Sequence, residues 1–262
     1  LISGDVNRGV GNYSKAIESY EKYQSLTDEE DVSLKIKSCR NIVNWDDQEH
    51  VAFGELPKNK KMADLTSGTY NGKIIHFNEI GFDKMQDMIG VVQSNNSVSA
   101  ELLLSQPSIY NEGKYHSIFM KDSSLASITS ISFLPNSKKA LITASYPLAK
   151  SAIKRAPNLY WATMTKDHLF DKVIPFEYSG FADTTSTAHA TVHPNGNIII
   201  FTKIGERTRN GDLYLTEKTD SGWSTPKQLD KLNTDGDEMF PTFSGDSLLY
   251  FSSNGRVGYG GL

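Results

Sequence analysis

Two stretches of the sequence carry side chains of the types that bind metal ions. Residues 235–238 are Asp-Gly-Asp-Glu, and carboxylates at alternate positions suit a hard cation such as Ca²⁺, but the rest of an EF-hand-type series is missing. His189 and His193 have i, i+4 spacing, which brings two imidazoles together only in a helix. Here, however, the two residues lie in a region predicted to be a strand with a Pro-Asn-Gly turn, not a helix. We therefore predict no metal site at either stretch.

Catalytic motifs with a fixed local spacing do not occur in the sequence. It contains no Gly-x-Ser-x-Gly elbow, and no Ser/His/Asp set is recognisable by its spacing. The glycines of residues 255–261 superficially suggest a phosphate cradle, which would require a helix directly after them. A carboxylate pair for glycoside cleavage stays open, because the fold rather than the local sequence assembles such a pair.

The composition argues against several classes of function. The formal net charge is −4, and no stripe of Lys and Arg with interleaved aromatic residues occurs, so we predict no nucleic-acid partner. The basic cluster at residues 58–61 is typical of a solvated linker. No stretch approaches the ~18 apolar residues that a membrane span needs. Cys39 is the single cysteine, which excludes an internal disulfide, and its place on the apolar side of a predicted helix favours a buried structural thiol.

One phrase repeats through residues 63–262, where a polar turn leads into a run of strand-forming residues. Matched positions in these runs lie 65, 59 and 50 residues apart, at Phe77, Ile142, Phe201 and Phe251. A second run follows in two copies, at residues 158–162 and 212–216, with further strands expected around Val173 and Leu229. One four-stranded propeller blade takes roughly 40–50 residues. The repeat therefore predicts a β-propeller with about four blades, and a β-sandwich is the alternative.

Residues 1–46 are predicted to be helical. Asn12 can cap a helix that begins at Tyr13, and Thr27 with Glu30 forms a T-x-x-E capping box for the next helix. Apolar residues at helical spacing mark one face of each helix. These faces comprise Ala16, Tyr20 and Tyr23 on the first helix, and Val32, Ile36, Cys39 and Val43 on the second.

The first predicted helix resembles the second helix of a tetratricopeptide repeat. The residues at matching positions are Gly11, Tyr13, Ala16, Tyr20 and Tyr23, and the first helix of the repeat would span residues 1–10. An unrelated helical hairpin is the alternative. Residues 47–62, which contain Pro57 and the basic cluster, are predicted to be the linker to the strand-rich part.

The end of the chain carries the most specific resemblance. Residues 232–241 and 249–262 resemble a WD-like "PD" propeller repeat of Bacteroidota OmpA-family proteins, in which N-T-x-G-x-E-x-F-P precedes L-Y-F-S-S-x-G and G-x-G-G-x-D-I-Y. In two earlier copies of this repeat, residues 212–214 and residues 158–160 occupy the positions of the D-I-Y motif. Helices before such a propeller are the layout of the peptidoglycan-associated outer-membrane lipoproteins of the type IX secretion and gliding machinery. The chain is similar to that family over nearly its whole length.

This resemblance implies a non-catalytic scaffold on the periplasmic side of the outer membrane, bound to proteins of a secretion or gliding complex. Contact with peptidoglycan would be made by an OmpA-like domain, and contact with the membrane by a lipid anchor, neither of which these 262 residues include. In the family, residues 235–238 form a turn between blades and a strand follows residues 255–261. We therefore expect no cofactor, and we expect those glycines to supply positive-φ turn positions. Because the repeat stops at Leu262, we also expect an incomplete propeller.

Loops on the propeller rim are the expected contact surface. The candidate residues are Arg207, Arg209, Arg256 and Tyr259. Aromatic residues at equivalent blade positions favour packing between blades over a ligand platform; they are Tyr160, Trp161, Tyr214, Trp223, Phe240, Tyr250 and Phe251. Two alternative functions stay open. One is a TolB-like periplasmic propeller that binds a peptide in an apolar groove or at an open sheet edge. The other is a glycan-active propeller enzyme with two carboxylates roughly 5–10 Å apart in a central funnel.

Overall fold

The computed structural model shows a mainly β protein with three N-terminal helices. It describes residues 1–27, 29–42, 64–71, 73–79, 105–121, 127–145, 157–165, 168–180, 186–205 and 210–258. The helices are α1 (Ile2–Gly9), α2 (Tyr13–Gln24) and α3 (Ser33–Ile42). Within the described part of the chain, no helix combines the length and the apolar composition that crossing a membrane requires.

The three helices share one small core. Helix α1 packs on α2 and α2 packs on α3, which buries Ala16, Tyr20, Val32, Ile36 and Cys39. The Tyr20 hydroxyl donates to Asp5 Oδ1 at 2.8 Å, and the Tyr20 ring fills the space beside Gly4, where a Cβ would collide with it. The apolar faces predicted from the sequence are confirmed for these residues, whereas Val43 lies outside the described residues. Membership of the tetratricopeptide family stays a prediction.

The start of α3 differs from the prediction. The helix begins at Ser33 rather than directly after Thr27, so the capping box assigned to Thr27 and Glu30 is wrong. Asp31 makes the local contact instead, because its Oδ1 accepts a hydrogen bond from the backbone N–H of Ser33 at 2.8 Å. This bond satisfies one of the amides that a helix start leaves unpaired. Asn12 precedes α2 as predicted, but its side chain makes no capping hydrogen bond.

The described strands form four sheets in chain order, which we number blades 1 to 4. Blade 1 contains β1 (Asp64–Tyr70), β2 (Lys73–Glu79), β3 (Ser105–Asn111) and β4 (Lys114–Ser117). Blade 2 contains β5 (Phe119–Met120), β6 (Ser127–Phe133), β7 (Lys139–Ser145), β8 (Asn158–Met164) and β9 (Leu169–Pro175). Blade 3 contains β10 (Ser186–Val192), β11 (Ile198–Ile204), β12 (Gly211–Thr219), β13 (Gly222–Trp223) and β14 (Lys227–Gln228). Blade 4 contains β15 (Glu238–Ser244) and β16 (Leu248–Ser253).

Neighbouring strands within a blade are antiparallel, and β5 is the exception because it pairs with β9 in parallel. We call β1, β6, β10 and β15 the first strands of blades 1 to 4, since β5 lies at the opposite edge of blade 2 from β6. The repeated sequence phrase forms the turn between each first strand and the strand that follows it. Residues of these turns adopt positive φ, as short turns require; they are Asn71, Asn136, Gly196 and Gly245. The strands predicted from the phrase are therefore confirmed in all four copies.

The first strands of the blades are neighbours of one another, which makes the arrangement a β-propeller. Strand β1 contacts β6, β6 contacts β10, and β10 contacts β15. Val192 N donates to Ser132 Oγ at 3.0 Å, and Phe243 N donates to Thr191 Oγ1 at 3.3 Å. Ser132 and Thr191 hold equivalent positions on β6 and β10, so this contact repeats from blade to blade. The predicted fold class, an incomplete propeller of about four blades after N-terminal helices, is confirmed.

Apolar side chains fill the spaces between blades. The core between blades 1 and 2 includes Ile75, Ile109, Ile131, Ile142 and Phe170. The core between blades 2 and 3 includes Leu141, Trp161, Phe176, Ile199 and Phe201. Leu141 and Ile142 are adjacent on β7 and enter different cores, because successive side chains of a strand point to opposite faces. The linker predicted at residues 47–62 lies outside the described residues, so the domain boundaries stay a prediction.

Candidate functional site

Every first strand carries a β-bulge near the centre of the propeller. The pairing register shifts between Thr66 and Gly68, between Ile128 and Ser130, between Ala188 and Thr191, and between Met239 and Thr242. A bulge bends its strand and redirects a side chain, and bulges are over-represented beside functional sites. The place where the first strands meet is therefore the candidate site.

The bulges of blades 3 and 4 hold strained residues that are not glycine. The φ angle is 51° at His189 and 54° at Phe240, which places both in the left-handed region. Histidine adopts this region more often than most residues do, whereas phenylalanine is an outlier there, and such strain costs about 1–3 kcal/mol. The positions are equivalent, because each follows the last residue paired before the bulge, Ala188 on β10 and Met239 on β15.

The two strained residues meet across the boundary between blades 3 and 4. The rings of His189 and Phe240 are stacked with their centroids 3.9 Å apart and their planes 28° from parallel. Phe240 nevertheless keeps 54% of its surface exposed. The described residues therefore cover one face of the Phe240 ring, the face that lies on His189.

The imidazole of His189 is held in its neutral form. Burial lowers the pKa of His189 from 6.5 to about 4, because the charged ring would lose its hydration. Its Nδ1 atom is buried and has no hydrogen-bond partner among the described residues. Its backbone N–H is paired, donating to Thr143 Oγ1 of blade 2 at 2.9 Å. At neutral pH the site is consequently an uncharged pair of rings with one unsatisfied ring nitrogen.

The hydroxyl groups around the stack are already paired with the protein. Ser130 Oγ and Thr143 Oγ1 lie 2.7 Å apart in a buried hydrogen bond. Thr191 Oγ1 accepts the bond from Phe243 N described above. These side chains stabilise the contacts between blades.

Glu238 begins β15 at the same end of the propeller, and its carboxylate is bound inside the protein. The residue is 0% exposed. Its Oε2 accepts from Thr234 N at 2.8 Å, and its Oε1 accepts from Thr234 Oγ1 at 2.7 Å and from Ser253 Oγ at 2.6 Å. Burial, and then the nearby Glu238 charge, raise the pKa of Asp212. These bonds occupy the Glu238 carboxylate, so it is not placed to act on a glycan in a central funnel.

The residues around Glu238 tie blade 3 to blade 4. Asn233 Oδ1 accepts from Leu213 N at 2.8 Å, and Asn233 Nδ2 donates to Leu213 O at 3.1 Å. Asp237 Oδ1 accepts from Gly211 N at 3.0 Å. Residues 235–238, the stretch with the look of a calcium loop, thus form a structural connection between blades, as the family resemblance implied.

Gly255 serves close packing rather than positive φ. It lies among the glycines predicted to have positive φ, and its φ is not positive, so the prediction is wrong for Gly255. A Cβ at Gly255 would collide with Thr234 Oγ1, and a Cβ at Gly236 would lie 2.6 Å from Gly255 N. The two backbone segments approach so closely that neither position has room for a side chain.

His189 and His193 contact different residues. The His193 ring packs edge-on against Phe243 with centroids 4.8 Å apart, and its Nε2 lies 3.1 Å from Asp246 O. His189 is instead stacked on Phe240. In the part of the chain that the structure describes, no group of three or more His, Cys, Asp or Glu side chains is arranged to hold a metal ion.

Of the candidate contact residues, only Arg256 lies among the described residues. Its side chain is exposed, but Nη2 donates to Leu232 O at 2.7 Å and the guanidinium lies 5.7 Å from the Phe251 ring centroid. Arg256 therefore holds the last described loop in place, whether or not it also contacts a partner. Arg207, Arg209 and Tyr259 lie outside the described residues, and all four stay predictions as contact residues.

The aromatic residues at equivalent blade positions were predicted to pack between blades. Trp161 of blade 2 and Trp223 of blade 3 face each other with centroids 6.3 Å apart, which confirms packing between blades for this pair. Phe240 stacks on His189 across the boundary between blades 3 and 4, which confirms the prediction for Phe240 as well. Tyr250 is 60% exposed on the last described strand, and for it the packing stays a prediction. The stacking of Phe240 on His189 was not predicted, because the sequence does not show the bulge. The available signal was that His189 and Phe240 occupy the same place in two copies of the repeated phrase.

Comparisons with known proteins find similarity in solved structures alone, since no family model and no curated protein matches the chain. TolB from Acinetobacter baumannii is 17% identical with a TM-score of 0.42, and the match covers 72% of this chain and 37% of TolB. Prolyl oligopeptidase B from Galerina marginata matches in two structures. In one it is 9% identical with a TM-score of 0.40, over 73% of this chain and 26% of that chain; in the other it is 10% identical with a TM-score of 0.32, over 69% and 31%. The chain thus spans between 26% and 37% of the length of these structures. The class of protein rests on the strand pairing above: an incomplete β-propeller preceded by helices.

Proposed function

We propose that this protein is a non-catalytic scaffold on the periplasmic side of the outer membrane. It would link a secretion or gliding complex to peptidoglycan through protein–protein contacts. The wall contact itself would be made by an OmpA-like domain outside residues 1–262, and the membrane contact by a lipid anchor. This assignment follows from the resemblance of residues 232–262 to the propeller repeat of the peptidoglycan-associated lipoproteins.

The observation that carries the proposal is what the polar residues of this repeat bind in the fold. Its polar residues are of types that can carry out chemistry, but here they bind other groups of the protein. The Glu238 carboxylate accepts three hydrogen bonds, and Asn233 pairs with both backbone groups of Leu213. Side chains that hold the segment between blades 3 and 4 against both blades suit a rigid docking platform better than they suit catalysis.

Cross-linking in membranes of the native cells tests the proposal. The full-length protein, tagged at a terminus, is cross-linked, extracted and analysed by mass spectrometry. We expect adducts with outer-membrane or periplasmic proteins of a secretion or gliding complex. Recovery with no partner from the outer membrane or the cell wall would contradict the scaffold function.

Charge reversal on the rim sharpens this experiment. Arg207→Glu together with Arg209→Glu should reduce the adducts, because the proposed contact surface includes this loop between β11 and β12. Lys218→Glu is the matched control, since Lys218 is an exposed cation on β12 of the same blade. Arg256→Glu is a poorer choice because it would also remove the bond to Leu232 O. Equal loss of adducts in the control would argue against a specific rim contact.

A further inference from the structure

We propose that helix α3 docks the three helices on the propeller, and that its contact with residues 254–258, the docking loop after β16, makes the helices and the blades move as one unit. The docking itself does not depend on the proposed function. Its use does rest on that function, because a scaffold with a fixed arrangement offers helices and blades to the same partner at once.

Helix α3 buries two of its faces. One face enters the small core that the three helices share. Leu34, Ser38 and Ile42 follow one another at four-residue spacing, so they line a second face about 120° around the helix from that core. Ser38 is 3% exposed, and Leu34 and Ile42 are partly buried. Lys37 and Arg40 are exposed, so the cover over Ser38 belongs to one side of the helix.

The second face of α3 contacts the propeller through the Ser38 hydroxyl. Its Oγ accepts a hydrogen bond from Gly258 N at 3.2 Å and donates one to Leu34 O at 2.8 Å. The hydroxyl therefore acts both as an acceptor and as a donor, which satisfies it in its buried position. Ser38 and Gly258 are 220 residues apart in the sequence, so this bond ties the helices to the docking loop.

The docking loop is itself held by the propeller. Asn254 Oδ1 accepts from Asp237 N at 2.6 Å, and Asn254 Nδ2 donates to Asp237 Oδ2 at 2.8 Å. Arg256 Nη2 donates to Leu232 O at 2.7 Å. These bonds fix the loop on the segment that leads into β15. A helix bound to a fixed loop loses its freedom to move against the blades, whereas a loose loop would let it move.

A fixed arrangement lowers the cost of binding a partner that contacts both parts. Ordering two mobile parts at the moment of binding costs conformational entropy, and a contact already formed in the free protein removes that cost. The partner that fits is a folded protein whose surface spans the helices and the docking loop. Arg256, a candidate contact residue, lies two residues before Gly258, so the docking loop belongs to the expected contact surface.

NMR relaxation of the whole ¹⁵N-labelled 262-residue chain tests the docking. We expect the backbone of α2 and α3 to tumble at the same rate as blades 2 and 3. Ser38→Arg places a long charged side chain on the second face of α3 and leaves the helical core unchanged, so the helices should tumble faster than the blades. Ser14→Arg is the matched control, because Ser14 is exposed on α2, and it should behave as the parent does. Faster tumbling of the helices in the parent, or no difference between the two variants, would overturn the proposal.

A milder variant keeps the test independent of folding. Ser38→Ala removes the acceptor of the Gly258 amide and adds no bulk, so that amide should exchange about two- to tenfold faster, the effect of losing one hydrogen bond. The amide of Leu213 is the control within the same protein, because it is bonded to Asn233 Oδ1 in the propeller and should exchange as before. An unchanged exchange rate at Gly258 would overturn the proposal.

Failure of the docking and failure of the scaffold function give different results. If the helices tumble independently of the blades but the membrane adducts persist, the scaffold function stands and the docking is rejected. If helices and blades tumble together but membranes yield no envelope partner, the docking stands and the cellular role is rejected.

Discussion

The imidazole of His189 lies against the phenyl ring of Phe240, with ring centroids 3.9 Å apart, although the two residues belong to different blades. Both residues occupy the bulge of a first strand, and both have positive φ. One repeated strand geometry therefore brings two rings together at the centre of the propeller. The polar residues of the repeat have the opposite role, because they are bound between blades.

Glu238→Gln should destabilise blade 4 and the segment that leads into it. Glutamine cannot accept all three hydrogen bonds that reach the carboxylate from Thr234 and Ser253. Bonds to a charged group are worth about 1.5–3 kcal/mol, so we expect the free energy of unfolding to fall by about that amount. Urea unfolding followed by tryptophan fluorescence measures it. Glu217→Gln is the control, because Glu217 is exposed on β12, and equal losses in the two variants would contradict this role for Glu238.

Gly255→Ala should lower the free energy of unfolding by about 1–3 kcal/mol or more, the usual cost of overpacking. The added methyl group would collide with Thr234 Oγ1, which itself bonds Glu238. Gly9→Ala is the matched control, because a Cβ at Gly9 in α1 meets nothing within 4 Å. That variant should be neutral or gain up to about 1 kcal/mol. Thermal melts of both proteins distinguish the two sites, and an unchanged Gly255→Ala melt would show that the contact is not close.

Thr191→Val should weaken the contact between β10 and β15. The variant keeps the shape of the side chain but leaves Phe243 N without its acceptor, at a cost of about 1–3 kcal/mol. Thr242→Val is the control, since Thr242 holds the equivalent position on β15 and is exposed. Urea midpoints should fall for the first variant and not for the second. The same midpoint for both would mean that the hydroxyl bond adds nothing to the blade contact.

The stability of the protein should depend on the protonation of His189. Because burial lowers its pKa from 6.5 to about 4, the unfolded chain binds a proton here between these values and the folded chain does not. Acid then favours unfolding, and His189 should account for a loss of up to about 3 kcal/mol as the pH falls from 7 to 4. No charged neighbour contributes to this pKa shift, which arises from burial alone.

His189→Asn isolates the effect of His189 on acid stability. Asparagine tolerates the same φ and does not titrate, while every carboxylate in the chain titrates as before. The difference in unfolding free energy between the two proteins should therefore grow in favour of the variant below about pH 6.5. A difference that does not change with pH would contradict the buried, neutral imidazole.

The repeat and its turns could be predicted from the sequence because their signals are local. A turn that needs positive φ uses Asn136 in one copy and Gly196 in another, and apolar runs follow both. The start of α3 could not be predicted in this way, because Thr27 and Asp31 both offer a capping oxygen and only the packed helices show which is used.

The candidate site could not be predicted in the same way, since its features arise between blades. The stacking of His189 on Phe240 depends on two bulges that the residue pattern does not reveal. The need for glycine at position 255 likewise comes from Thr234, which is distant in the sequence and adjacent in the fold.

Cross-linking in membranes tests the scaffold function most directly. The full-length protein should form adducts with outer-membrane or periplasmic proteins of a secretion or gliding complex, and the paired change of Arg207 and Arg209 should reduce them while Lys218→Glu does not. A protein recovered without any outer-membrane or cell-wall partner would contradict the proposed function.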